Sequence, residues 1–364
     1  MTHQLDNISF IVSRLGGDAA IRSVQGLAAQ TTSAIETMRA LAYPSTYMRY
    51  DNIVFCGMGG SRFPGLIVYH LYKNVLRVPF TICDDYSLPG FVNQNTLVVL
   101  SSYSGTTEEV LACAKQAHER SACIVGFCVG GPLQQWLESN HYPFATFNEQ
   151  HNPSKQPRMG FGYTIGSTLG ILLALNAFQG SSEDYLDNMR RDLGNVERFD
   201  AWYGIHCPFK ENLAKKFAGE ITNKYPYFLV AEHLVGVGNC VQNQVNETSK
   251  GIASFRVIPE LNHHMMEGLR FPAEHKSIAV FVSFLSGLYD ERIRRRFEIT
   301  HDVIKQNEIQ VLSHKLRAET HLGQVLELLV FSSYMTIYTA ALRGVNPENV
   351  PYVDYFKAQL KKSS

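Results

Sequence analysis

With 364 residues, the chain is long enough for about two domains that each bury a core. Hydrophobic residues make up 45% and charged residues 18%, an ordinary globular balance, and 33 Lys+Arg against 33 Asp+Glu leave no net charge. No basic excess or stripe marks a nucleic-acid binder, so no nucleic-acid partner is expected.

Met1 to Phe10 carries Asp6 and no apolar stretch, so a signal peptide is not expected. Residues 1–49 read as a helical lead-in. Residues 50–150 then alternate between strand and helix: strands at Asn52–Cys56, Pro79–Cys83, Thr96–Ser101 and Ala122–Val129, helices at Phe63–Leu76 and Thr107–Ala117. Residues 151–208 form a connection rich in Pro, Gly and polar residues, followed by an apolar crossover helix at Tyr163–Phe178. From 209 to 364 the alternation resumes. It gives helices at Glu211–Thr222 and Gly238–Lys250, strands at Tyr227–Ala231, Ala253–Ile258 and Ser277–Phe284, and helices at Tyr289–Thr300, His321–Leu342 and Val350–Leu360. Strands alternating with helices imply parallel sheets covered on both faces, with ligands at the carboxyl ends of the strands. The apolar run Leu328–Leu342 is short of a membrane span and is broken by four hydroxyl residues, so it reads as an interior helix. The seven cysteines are scattered and contain no C-x-x-C pair, which points to a reducing cytoplasm and to no metal ligation.

Two loops fall at strand ends. Gly57-Met58-Gly59-Gly60-Ser61 lacks the full dinucleotide-binding spacing; its glycines let the backbone approach a ligand to which Ser61 donates, or they serve a tight turn. Ser102-Tyr103-Ser104-Gly105-Thr106-Thr107 places hydroxyls at a helix N-terminus without a lysine, as a neutral cradle for a phosphate monoester would. The alternative is a threonine N-cap completed by Glu108 or Glu109. The second half lacks such a loop, so one phosphate site per chain is expected. Further on, Arg158 is a long cation in the stiff setting Pro157-Arg158-Met159-Gly160. Glu247 turns away from the Val237, Val241 and Val245 face, either solvated and paired with Lys250 or aimed into a cleft. His263 and His264 follow a strand, with no third ligand at zinc spacing. Lys357 lies beside the face marked by Val353, Phe356 and Leu360, which is expected to be buried.

Together, Gly57–Ser61, Ser102–Glu109, Pro157-Arg158, Asn246-Glu247 and Pro259-Glu260-Leu261-Asn262-His263 resemble the sugar isomerase (SIS) fold, specifically the bifunctional phosphoglucose/phosphomannose isomerases. The resemblance spans about Asn52 to Leu360. It implies two flavodoxin-like SIS domains in tandem, each a parallel sheet in three αβα layers, and a homodimer whose active site borrows His263 from the partner subunit. Gly59, Gly60, Ser61, Ser102, Ser104 and Thr107 would hold the phosphate of a sugar-phosphate substrate. Glu247 would move a proton between C2 and C1, His263 and Lys357 would assist ring opening, and Arg158 would face the enediolate. Neither metal nor organic cofactor is implied. Departures border the pocket: Arg62 stands where the family has a small residue, which would make the pocket more basic or narrower. Thr106 replaces a common asparagine, and His264 follows His263 in place of one.

The expected activity is a cytoplasmic, cofactor-independent aldose–ketose isomerase acting on glucose or mannose 6-phosphate and fructose 6-phosphate. Removing a weakly acidic C2 proton needs a fixed carboxylate and nearby positive charge for the oxyanion. The alternatives are a SIS module that only senses a sugar phosphate, and an amidotransferase, for which no glutaminase segment precedes the SIS block. No membrane partner is expected.

Overall fold

Apolar side chains alternate along the first strands and feed two separate cores, which is what fixes a covered parallel sheet. The computed structural model describes residues 3–360 and Lys362. Its first sheet contains β1 (Asn52–Cys56), β2 (Phe80–Cys83), β3 (Thr96–Ser101), β4 (Cys123–Cys128) and β5 (Phe144–Thr146). The strands are parallel, in the order β2-β1-β3-β4-β5. Ile53, Phe55, Leu97, Val99, Val125 and Phe127 enter the large core; Val54, Cys56, Val98, Leu100, Ile124 and Cys128 enter a smaller one. Helices Phe63–Tyr72 and Phe161–Ala174 cover the first face, and Glu108–Glu119 and Gly131–Ser139 the second.

The second sheet repeats this order with β6 (Tyr225–Val230), β7 (Ser254–Val257), β8 (Ala279–Leu285) and β9 (Gln310–Lys315), parallel as β7-β6-β8-β9. Two parallel-sheet α/β lobes therefore stand in tandem, as the sequence alternation implies. β5 and β9 escape the sequence reading for different reasons. The first has only three residues, and the second ends in the polar run Ser313-His314-Lys315.

The lead-in helices join the lobes. Leu27–Arg39 packs on Phe161–Ala174 along Gly162, Gly166 and Gly170, where a Cβ would stand 2.5 Å from Gln30 Cβ, 2.3 Å from Thr31 O and 2.8 Å from Ile35 O. Ile8–Leu15 lies on His321–Arg343, with Arg14 Nε donating to Ala341 O at 3.1 Å. Among the described residues His321–Arg343 alone is long and apolar enough to cross a membrane, and it is almost wholly buried inside the protein. The start of Val235–Glu247 seats Gly236 against Ile67, where a Cβ would come within 2.6 Å of Ile67 Cα. This contact locks the second lobe to the first.

The last helix, Pro351–Leu360, departs from expectation. Val353, Phe356 and Leu360 do not form a buried face; they are 42%, 61% and 38% exposed, and no residue of this helix is buried.

Candidate active site

Ser61 ties the two sequence-predicted loops together. It is buried; its Oγ accepts the Tyr103 N–H at 2.8 Å and its carbonyl accepts the Ser101 hydroxyl at 2.7 Å. The Ser102 and Thr107 hydroxyls are 2.8 Å apart, as are those of Ser104 and Thr106. Thr107 occupies the N-cap of Glu108–Glu119 yet makes no side-chain capping bond, because its hydroxyl faces Ser102 instead. The capping-box alternative is thus not formed, and the first N–H groups of this helix lack a threonine cap. Gly105 has φ +69°, and a Cβ there would lie 1.7 Å from Gly130 O, so only glycine lets this loop close against the next one. Gly60 approaches the turn Pro157–Met159: a Cβ on it would be 3.5 Å from Pro157 Cβ. Gly59 supplies a left-handed turn at φ +49°.

That contact leads directly to the second lobe. Arg158 is 3% exposed; its Nη1 donates to Gln156 Oε1 at 3.0 Å and meets Glu247 Oε2 at 3.5 Å. Its Nη2 donates to the carbonyls of Pro347 and Glu348, the latter at 2.8 Å, while Nε is buried without a partner. Burial pulls the guanidinium below its ordinary range, opposed by Glu247 and Glu348. Glu247 ends the helix Val235–Glu247 and is partly exposed. The Glu247 carboxylate meets Arg158, a contact that neither sequence alternative names. Lys250 instead donates to the Glu247 backbone carbonyl. Burial, with the Arg158 charge adding to it, pulls Lys250 down to about 8, and Glu247 opposes the shift. A carboxylate paired with one cation and in the field of a second, beside a loop adjoining a hydroxyl-lined cradle, can move a proton next to a developing oxyanion.

Residues 210–360 match the model for the bacterial phospho-glucose isomerase C-terminal SIS domain. The chain is 27% identical to a bifunctional phosphoglucose/phosphomannose isomerase of Caldicellulosiruptor bescii, over 93% of this chain and 98% of that protein. It is 28% identical to a protein of the same name from Thermoplasma acidophilum, over 85% and 90%. Over most of its length the chain is similar to proteins named bifunctional phosphoglucose/phosphomannose isomerase. In fold it is similar to a hypothetical protein from Thermus thermophilus, with TM-score 0.72 and 15% identity over 94% of this chain and 90% of that one.

Against the family pattern, Arg62 does not add charge to the cradle. Its Nε lies 2.9 Å from Asp84 Oδ2 at the end of β2, a contact of charge rather than an aligned hydrogen bond. His264 is occupied by Glu260 at 3.0 Å. His263 and Lys357 are not brought to Glu247 by contact. Both are exposed, and neither side chain hydrogen-bonds or ion-pairs with another described residue. Lys357 rides on Pro351–Leu360, the helix that follows the Pro347–Glu348 carbonyls held by Arg158. Glu247 and His263 lie at opposite ends of the strands of the second sheet. The helix from β6 carries Glu247 back to the amino ends of the strands, where Asn246 Oδ1 accepts the Ala253 N–H just before β7. His263 follows the carboxyl end of β7. Sequence reasoning finds Lys250 only as a solvated partner of Glu247 and gives no signal for Gln156; the left-handed φ of +57° at Lys250 has no local signature.

Proposed function

We propose that the chain is a cofactor-independent aldose–ketose isomerase interconverting glucose 6-phosphate or mannose 6-phosphate with fructose 6-phosphate. The observation that carries this reading is the Arg158–Glu247 contact beside the Gly60 loop. It supports a carboxylate of the second lobe acting together with the hydroxyl-rich loops of the first. The phosphate is held by Gly59, Gly60, Ser61, Ser102, Ser104 and Thr107, which fixes the reacting carbons relative to Glu247 and lowers the entropic part of the barrier. Glu247 takes the C2 proton of the open-chain aldose and the electron pair forms a C1–C2 enediolate. Glu247 returns a proton to C1, exchanged in part with solvent while it is held on the carboxyl, and the O2 hydroxyl proton passes to O1, which gives the ketose. Arg158 and Lys250 face the oxyanion as it develops.

His263 and Lys357 open the ring, one giving and one accepting a proton at O5 and O1. Because His263 and Glu247 stand at opposite strand ends of one sheet, His263 reaches the site from a second subunit of a homodimer. The seven free cysteines accord with a reducing cytoplasm. The alternative reading is a SIS module that only binds a sugar phosphate; the Arg158–Glu247–Lys250 arrangement favours the enzyme. Incubation with fructose 6-phosphate, followed by enzymatic detection of glucose and mannose 6-phosphate, tests the proposal. Either aldose phosphate forming in proportion to protein supports it; binding of fructose 6-phosphate without conversion contradicts it.

A further inference from the structure

Three cysteines far apart in sequence converge in the smaller core. Cys56 ends β1, Cys83 ends β2 as its parallel register partner, and Cys113 comes down from Glu108–Glu119. All three are buried, and their sulfurs lie within 4.8 Å of one another, with Cys83 and Cys113 separated by 3.8 Å. Zn–S bonds of about 2.3 Å at the tetrahedral angle put neighbouring sulfurs about 3.8 Å apart. One edge of the triangle already has that length, and the others lie within about an ångström of it. A fourth donor is at hand, since the Asp85 carbonyl lies 3.3 Å from Cys113 Sγ. The exposed segment Asp84–Ser87 offers the way in from solvent.

We propose that Cys56, Cys83 and Cys113 form a binding site for a thiophilic divalent cation of the zinc class. The absence of a C-x-x-C pair hides it in the sequence, because parallel strand register, not local spacing, brings the thiols together. Binding exchanges the three S–H protons for three S–M bonds, and the protons leave to solvent. Three thiolates with a divalent ion leave a single net negative charge in an apolar surround lined by Val54, Val98 and Leu100. A monovalent ion would leave two, at greater desolvation cost. The site is separate from the reaction proposed above. Its consequence for that reaction is mechanical: Cys56 immediately precedes Gly57–Ser61, Cys83 precedes the Asp84 partner of Arg62, and Cys113 lies on the helix that Thr107 begins.

Cadmium chloride serves as the probe. The full chain, reduced and freed of metal, is titrated while the ultraviolet thiolate-to-cadmium band and the protons released into weak buffer are recorded. The expected result is a band saturating at one ion per chain, with about three protons released per ion. The band should be lost in Cys83→Ser and Cys113→Ser and unchanged in Cys240→Ser. Alkylation of the parent chain with and without zinc, mapped by mass spectrometry, keeps the test independent of variant folding. Zinc should protect Cys56, Cys83 and Cys113 and leave Cys207 reactive. No saturable band, a band that persists in both serine variants, or equal alkylation with and without zinc would overturn the proposal.

Discussion

Replacing Arg158 by lysine keeps the charge but removes the fork that joins three parts of the chain. The guanidinium spans Gln156 and Glu247 through Nη1 and the Pro347 and Glu348 carbonyls through Nη2. An ammonium is a point donor on a flexible stem and cannot reach both sides. At least two of these bonds are lost, and each hydrogen bond from a charged group contributes about 1.5–3 kcal/mol. Water recovers part of that at the partly exposed Glu247 end and little at the buried carbonyls. The expected net destabilisation is about 2–3 kcal/mol, read as a lower urea midpoint with unchanged slope. Glu247 would lose its orienting partner, and a shift of about 1 Å in a reacting group costs on the order of 10²-fold in turnover. The assay is initial-rate conversion of fructose 6-phosphate alongside urea unfolding. Parental kcat and midpoint in Arg158→Lys would refute the reasoning, because the fork would then be dispensable.

Gly105→Ala forces a Cβ onto the Gly130 carbonyl at a left-handed φ. It should cost at least about 2 kcal/mol and weaken sugar-phosphate binding by calorimetric titration; parental values would contradict it. His233 is buried with Nε2 against Gln324 Oε1 at 2.9 Å, and burial holds its pKa lowered to about 4 from 6.5. The unfolded chain therefore takes up a proton that the folded chain refuses. Stability from this group is complete above pH 6.5 and falls by about 1.4 kcal/mol per unit as pH drops toward 4. Urea midpoints at pH 7 and pH 5 should show a shallower fall in His233→Gln than in the parent; parallel falls would contradict the assignment. Glu247→Gln and His263→Asn subunits, each inactive alone, should regain about a quarter of parental activity when unfolded and refolded together, since half the dimers then carry one intact site. No recovery would place His263 in its own subunit's site or outside the mechanism.

Much of this architecture is legible because its signals are local. β1 and β3 end where apolar alternation stops and glycine or serine begins, and the two hydroxyl loops are contiguous in sequence. What is not local stays hidden. Helical geometry turns Glu247 off the valine face, but only folding shows that Arg158, nearly ninety residues earlier, meets it. The apolar spacing of Val353, Phe356 and Leu360 says that something should cover them, not that this chain does so. The Cys56, Cys83 and Cys113 cluster depends on strand register and on a helix crossing above it, neither of which leaves a mark in the spacing of the cysteines.

The central claim is that the Glu247 carboxylate carries a proton between the two carbons. Incubation with fructose 6-phosphate in deuterium oxide, followed by proton nuclear magnetic resonance, reads this transfer at C1 directly. The parent should incorporate deuterium at C1, and Glu247→Gln should lose incorporation by about 10²–10⁴-fold while still binding the sugar phosphate. Incorporation at the parental rate in Glu247→Gln would contradict the account.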